Sequence, residues 1–212
     1  MTVELYLTVV ISVITVVSVS TAIFSYRVKR DEYKSVLKLD ISVEKMKESE
    51  KRIQDFFLEY GIGQEDPITE VAKVLNVLQG ESEEGLGEQA YIRSHEDGKT
   101  KVVVFKSELT EKEKRFAFAH EIAHLLNGDE IPATRPIGRN KPEVEQVADY
   151  TAAALLMPLE AVYSSLNEKQ YFQLSARKKA KVVRELCKKY QVSEVIAIRR
   201  IREVNEIKKA VR

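Results

Sequence analysis

The stretch FAFAHEIAHLLNG, residues 116–128, decides how this chain is read. It is apolar at most positions, yet it holds His120, Glu121 and His124, and so two of the chain's three histidines. Upstream, Thr110 and Glu113 have the spacing of a capping box, and downstream Gly128 suits a C′ position, which predicts a helix over residues 110–127. An α-helix turns about 100° per residue, so side chains four apart lie nearly above one another. His120 and His124 can then present two imidazoles to one point, with Glu121 rotated off that line. Phe116, Phe118, Ile122, Leu125 and Leu126 around them predict burial, and dry surroundings strengthen the field of any ion held there.

His120-Glu121-x-x-His124 is the H-E-x-x-H pattern, in which two histidines hold zinc and the glutamate acts as general base. On its own the pattern is short, and two core histidines with Glu121 paired to a lysine would also satisfy it. A catalytic zinc needs a third protein ligand and an open position for water. Residues 143–149, EVEQVAD, place Glu145 and Asp149 four apart on one face of the next predicted helix, residues 143–157. Glu145 can be the third ligand, and Asp149 can take the remaining ring N–H of a ligand histidine. Two carboxylates on a face otherwise made of Val, Ala, Leu and Met are costly to bury unpaired, and a metal–histidine cluster removes that cost. Glu143 competes for the ligand position, but lies off the Asp149 face and nearer the helix start. No histidine follows His124, so a three-histidine zinc site does not fit, and His95 falls in a turn where exposure is expected. In such a site zinc lowers the pKa of water to about 7 and polarises a scissile carbonyl, while Glu121 takes the water proton and passes it to the leaving amine. A donor must also stabilise the oxyanion, and Tyr150, Tyr163, Tyr91 and Arg135 are the candidates.

Working outward, residues 44–60 read as an amphipathic helix stopped by Gly61. Asp66 and Pro67 open a second helix, as N-cap and first helical residue. Residues 79–89 are rich in Gly and Glu and read as a loop. Residues 90–93 and 101–105 are β-prone runs around a turn at 95–99, which predicts a hairpin beside the His120 helix. Its edge strand would be available to an extended peptide. After residue 158 the chain reads as helical, with a helix, a tight turn at residues 191–193 and a second helix near the end.

The overall composition, 44% hydrophobic and 32% charged with a net charge of +1, is that of an ordinary globular chain. It conceals an asymmetry. Residues 27–163 carry 20 basic and 27 acidic side chains, whereas residues 164–212 carry 14 basic and 5 acidic ones. The basic end reads as a solvated helical surface, with nucleic acid, anionic lipid or an acidic partner as sharper alternatives. One cysteine, Cys187, excludes an intrachain disulfide. Residues 5–26 form an uncharged run of 22, with Glu4 before it and Arg27, Lys29 and Arg30 after it. A helix crosses a bilayer core in roughly 20 residues, and the positive flank belongs on the cytoplasmic side. The expectation is a single-pass anchor in the cell membrane, contacting the lipid bilayer through residues 5–26, with the N-terminus outside and the catalytic domain cytoplasmic. The expected division is an anchor at 1–26, a connector at 27–43, a metallopeptidase domain at 44–163 and a basic helical unit at 164–212.

The run RFAFAHEIAH, residues 115–124, followed by E-x-x-A-D-x-x-A-A-x-L-L-M-P at residues 145–158, resembles the ImmA/IrrE-type metallopeptidases. Residues 66–75, the strand at 102–105 and the V-S-E-V-x-x-x-R-R-I segment at 192–201 resemble the same family, so the likeness extends over residues 44–204. The Tyr150-Thr151 pair departs from the x-Phe of that pattern. The resemblance implies an α+β fold: a mainly helical, zincin-like core of gluzincin type, a small hairpin or sheet beside the active-site helix, and a helical C-terminal hairpin, to which the sequence adds one N-terminal transmembrane helix. It implies one Zn2+ per chain, with Mn2+ as the alternative metal, held by His120, His124 and Glu145. It further implies a protein substrate, a helix-turn-helix repressor cut at one site. The competing expectation is a binding module in which the zinc is structural and the chain captures a repressor or DNA without cutting.

Overall fold

The computed structural model describes residues 41–63, 66–84, 89–129 and 142–210. Helix α1, Val43–Tyr60, starts at Ser42, whose hydroxyl accepts from the Lys45 amide, and ends at Gly61. Its buried positions Met46, Ser49, Glu50, Ile53 and Phe57 repeat at helical spacing, so one stripe faces the interior. Helix α2, Pro67–Val74, follows. Asp66 occupies its N-cap position but makes no capping bond, because its carboxylate accepts from Arg115 instead.

Three strands come next: β1, Val77–Glu83; β2, Ala90–Ser94; and β3, Lys101–Lys106. Their order is β1-β3-β2, with β3 antiparallel to β2 and parallel to β1. The β2–β3 pair is the hairpin expected from its β-prone runs. β1 is a correction, since most of it runs through the segment read as a loop. Only Val77 in it is buried, so it carries no apolar alternation for a sequence pattern to detect. Backbone pairing with β3 makes it a strand, and its register slips between Gln79 and Ser82. At that slip a Cβ on Gly80 would lie 2.6 Å from Val102 and 3.0 Å from the Val103 carbonyl oxygen, so the two strands approach this closely only because residue 80 has no side chain.

Helix α3, Glu111–Asn127, carries the histidines. The capping box is formed in both directions: the Thr110 amide donates to Glu113 at 2.8 Å, and the Glu113 amide donates to the Thr110 hydroxyl at 3.4 Å. Gly128 ends the helix at φ 74°, a left-handed conformation suited to glycine. Replacing Thr110 by Ala is expected to lower stability by about 1 kcal/mol in urea unfolding; an unchanged midpoint would show that the cap does not anchor this helix.

Helix α4, Glu143–Leu156, packs along α3, and α5, Leu159–Glu168, follows it after Pro158. Both α3 and α4 contribute fully buried small residues, Ala119 and Ala123 from one and Ala148 and Ala152 from the other, which permit close helix approach. A short 3-10 turn, Tyr171–Gln173, leads to the helices α6, Ala176–Lys189, and α7, Glu194–Lys209. The turn between them contains Gln191 at φ 53° and Ser193, whose hydroxyl accepts from the Ile196 amide. Helix α7 packs against α1, α4 and α5 as well as α6, so the C-terminal hairpin shares the interior with the histidine helix. All described residues belong to one compact unit.

Among the described residues no helix is long and apolar enough to cross a membrane. This corrects the expected N-terminal transmembrane helix, and with it the single-pass cell-membrane placement and the bilayer as a partner. The described helices fall short in length and in apolar character. The longest, α1, has 18 residues and carries Glu44, Lys45, Lys47, Glu48 and Glu50 in its first half, where a crossing needs roughly 20 mainly apolar positions. Residues 5–26 themselves lie outside the described residues.

Candidate metal centre

The middle of α3 and the start of α4 bring three groups together. His120 Nε2 lies 3.2 Å from Glu145 Oε2, His124 Nε2 lies 3.4 Å from Glu145 Oε1, and the two Nε2 atoms are 3.1 Å apart. Donor atoms of all three residues lie within 4.8 Å of one another and could hold a metal ion. The residues are 5%, 1% and 8% exposed, so water screens this cluster poorly. Glu143, two positions before Glu145, points elsewhere: it is exposed and pairs with Lys45. Helical geometry thus separates the two acids, sending one to solvent and the other to the histidines.

The outer nitrogens are equally constrained. His120 Nδ1 lies 2.9 Å from Asp149 Oδ1, and His124 Nδ1 lies 2.9 Å from Asp129 Oδ2. An ionised carboxylate only accepts, so each Nδ1 carries the proton and each Nε2 presents a lone pair. Two lone pairs and a carboxylate then converge on one small volume, which is repulsive unless a cation sits among them. Two imidazoles and one carboxylate, each imidazole backed by an acid, form a donor set suited to a borderline-soft divalent ion with a ligand position left open.

Asp149, four residues after Glu145, is placed against the outer nitrogen of His120. The sequence pattern does not single out Asp129. It follows the left-handed Gly128, and its amide donates back to the His124 carbonyl at 3.0 Å, which turns the side chain onto the imidazole. The only signal was an acid just past the helix-ending glycine.

Beyond Asp149 lies a second set of buried charges. Arg199 Nη1 donates to Asp149 Oδ2 at 3.3 Å, and its Nε donates to Glu203 Oε1 at 2.8 Å. Arg200, fully buried, donates to Glu50 Oε1 at 2.6 Å and to the Met157 carbonyl at 2.9 Å, with Glu203 3.7 Å from its Nη1. Burial alone would lower the pKa of either arginine, but the carboxylates beside them outweigh it and raise both. Burial pushes Glu203 up against the opposing pull of the two arginines.

The oxyanion candidates fare differently. Tyr150 is fully buried, and its hydroxyl donates to Glu50 at 2.7 Å. Burial, helped by Glu50, raises its pKa despite the opposing effect of Arg200, so it remains a neutral donor to Glu50. The Tyr91 hydroxyl donates to Glu83 at 3.4 Å. Tyr163 is half-buried beneath the Lys208 ammonium, 4.7 Å from its ring centre. Arg135 lies outside the described residues. His95 is exposed in the β2–β3 turn, as expected.

The family model described as IrrE N-terminal-like domain (Peptidase_M78) matches residues 78–202, more than half of the chain. That span includes His120, Glu121, His124, Glu145, Asp149 and Arg199. A search of curated proteins finds no match. Among solved structures the chain is similar to a Mycobacterium tuberculosis transcriptional regulator, with 16% identity, a TM-score of 0.45, and coverage of 79% of this chain and 50% of that one. The chain thus spans about half the length of that structure. A helix bearing two histidines, a second bearing the acid that meets them, and the match across both lead to one conclusion: the chain belongs to the ImmA/IrrE family of metallopeptidases.

Proposed function

We propose that the chain is a zinc-dependent, site-specific endopeptidase and that its substrate is a helix-turn-helix transcriptional repressor. The observation that carries the reading is the convergence of His120 Nε2, His124 Nε2 and the Glu145 carboxylate, with both Nδ1 atoms held by acids. His120, His124 and Glu145 would hold the zinc. When bound, zinc supplies Lewis-acid polarisation and makes water a better nucleophile near neutral pH. Glu121 follows His120 directly on α3 and is 1% exposed. Its role is to accept the proton of the attacking water and deliver it to the leaving amine nitrogen, as a carboxylate beside such a site can. Asp149 and Asp129 keep the two imidazoles in the Nδ1–H form that turns each Nε2 lone pair toward the metal position. The repressor as substrate rests on family membership, and peptide-bond hydrolysis rests on that membership together with the donor set.

The test is direct. Purified protein is expected to hold one zinc per chain, and removing it with a chelator should abolish cleavage of a helix-turn-helix repressor; zinc should restore the cleavage. Undiminished cleavage by metal-free protein would refute the reading. Stoichiometric zinc with capture but no cutting of the repressor would instead favour the binding-module alternative.

A further inference from the structure

We infer that Arg199, on the C-terminal helix α7, is a positioning residue for the metal centre: through Asp149 it fixes the imidazole of His120. This inference rests on the proposed reading of His120 as a ligand.

The geometry forms a continuous chain. Asp149 uses one oxygen for His120 Nδ1 at 2.9 Å and the other for Arg199 Nη1 at 3.3 Å. Both oxygens of one carboxylate are thus engaged on opposite sides, which restricts its rotation about the terminal side-chain bond. Arg199 is itself held by Glu203, which accepts from its Nε at 2.8 Å. The planar guanidinium can hold two acids in a fixed relation because its N–H groups point in set directions; a lysine ammonium would keep the charge but lose this fork. The side chains of Asp149 and Arg199 are 9% and 15% exposed and that of Glu203 is fully buried, so the contacts are little screened by water.

The arrangement also alternates charge. In the order Glu50, Arg200, Glu203, Arg199 and Asp149, each buried ion is flanked by ions of opposite sign. Arg199 is the cation nearest the histidines in this sequence, and without it Asp149 would face His120 with a major stabilising partner removed. A carboxylate that rotates away no longer holds the Nδ1–H form of His120 in place, and acids in this position typically change metal affinity by about 10–100-fold when lost. Residues 50 positions apart therefore cooperate, and the C-terminal hairpin supplies part of the metal centre's support.

The test must separate positioning from simple stability. Arg199→Met alone leaves Glu203 buried with a single partner and risks unfolding. The double variant Arg199→Met/Glu203→Met removes one charge of each sign and leaves the Glu50–Arg200 pair intact, a replacement often neutral for stability. In the full-length protein, three quantities are compared with wild type: the unfolding midpoint of metal-free protein, the zinc dissociation constant by chelator competition, and the visible spectrum of the Co2+-loaded form. The double variant is expected to keep a near wild-type metal-free midpoint, to bind zinc about 10–100-fold more weakly, and to show a shifted Co2+ spectrum. Arg199→Lys should recover part of the affinity. Wild-type zinc affinity and an unchanged Co2+ spectrum in the folded double variant would overturn the role of Arg199 while leaving the metal centre standing. Failure of the wild-type protein to bind zinc at all would refute the proposed centre, and this inference with it.

Discussion

Replacing Glu121 by Gln is expected to reduce peptidase activity by about 10²–10⁴-fold while leaving zinc content unchanged. The substitution preserves shape and replaces a carboxylate with an amide that cannot accept the water proton. At 1% exposure the side chain is shielded from bulk solvent, so the amide is not simply bypassed by an open, solvated site. The expected loss corresponds to about 3–5 kcal/mol of transition-state stabilisation. His124→Ala should behave differently, because it removes a donor atom and should lose the metal together with the activity. The pair of variants separates chemistry from metal binding when cleavage rate and zinc stoichiometry are measured on the same preparations. A Glu121→Gln protein with the wild-type rate would exclude this residue as the base.

The second large effect is structural. Arg200→Met is expected to destabilise the protein by about 3–5 kcal/mol in urea unfolding, because it removes one partner from a buried ionic cluster. Arg200 is fully buried, bridges Glu50 on α1 to the Met157 carbonyl after α4, and lies 5.3 Å from the centre of the Tyr150 ring. Without it, Glu50 keeps the Tyr150 hydroxyl but loses the only cation of this cluster among the described residues that meets it, and Glu203 keeps Arg199 only. Changing Glu50 to Gln in the same protein should recover much of the loss, since the unmatched charge is then gone and the two effects do not add. A single-variant loss below about 1 kcal/mol would mean that the cluster is better hydrated than its burial indicates.

The two predictions probe different layers. Glu121 lies on the helix that carries the pattern first visible in the sequence. Arg200 belongs to a cluster visible only once α1, α4 and α7 are packed together. Asp149 joins the layers, with one oxygen toward His120 and the other toward Arg199.

What the sequence by itself determined was local. The spacing of His120 and His124, the i,i+4 pair Glu145 and Asp149, the Thr110 capping box, the stop at Gly128 and the β2–β3 hairpin all depend on residues a few positions apart, where helix and strand periodicity set which side chains are neighbours. The tertiary structure decided the rest. It brought Glu145 against both histidines while Glu143 paired with Lys45, turned Asp129 onto His124, and assembled β1 from a Gly- and Glu-rich segment by pairing it with β3. It also joined Glu50, Tyr150 and Arg200, residues 50 to 150 positions apart, into one buried cluster. No periodic pattern encodes such contacts, because each depends on where two helices cross. The membrane expectation shows the same limit: it rested on the hydropathy of one run, and no helix in the described structure is built to span a bilayer.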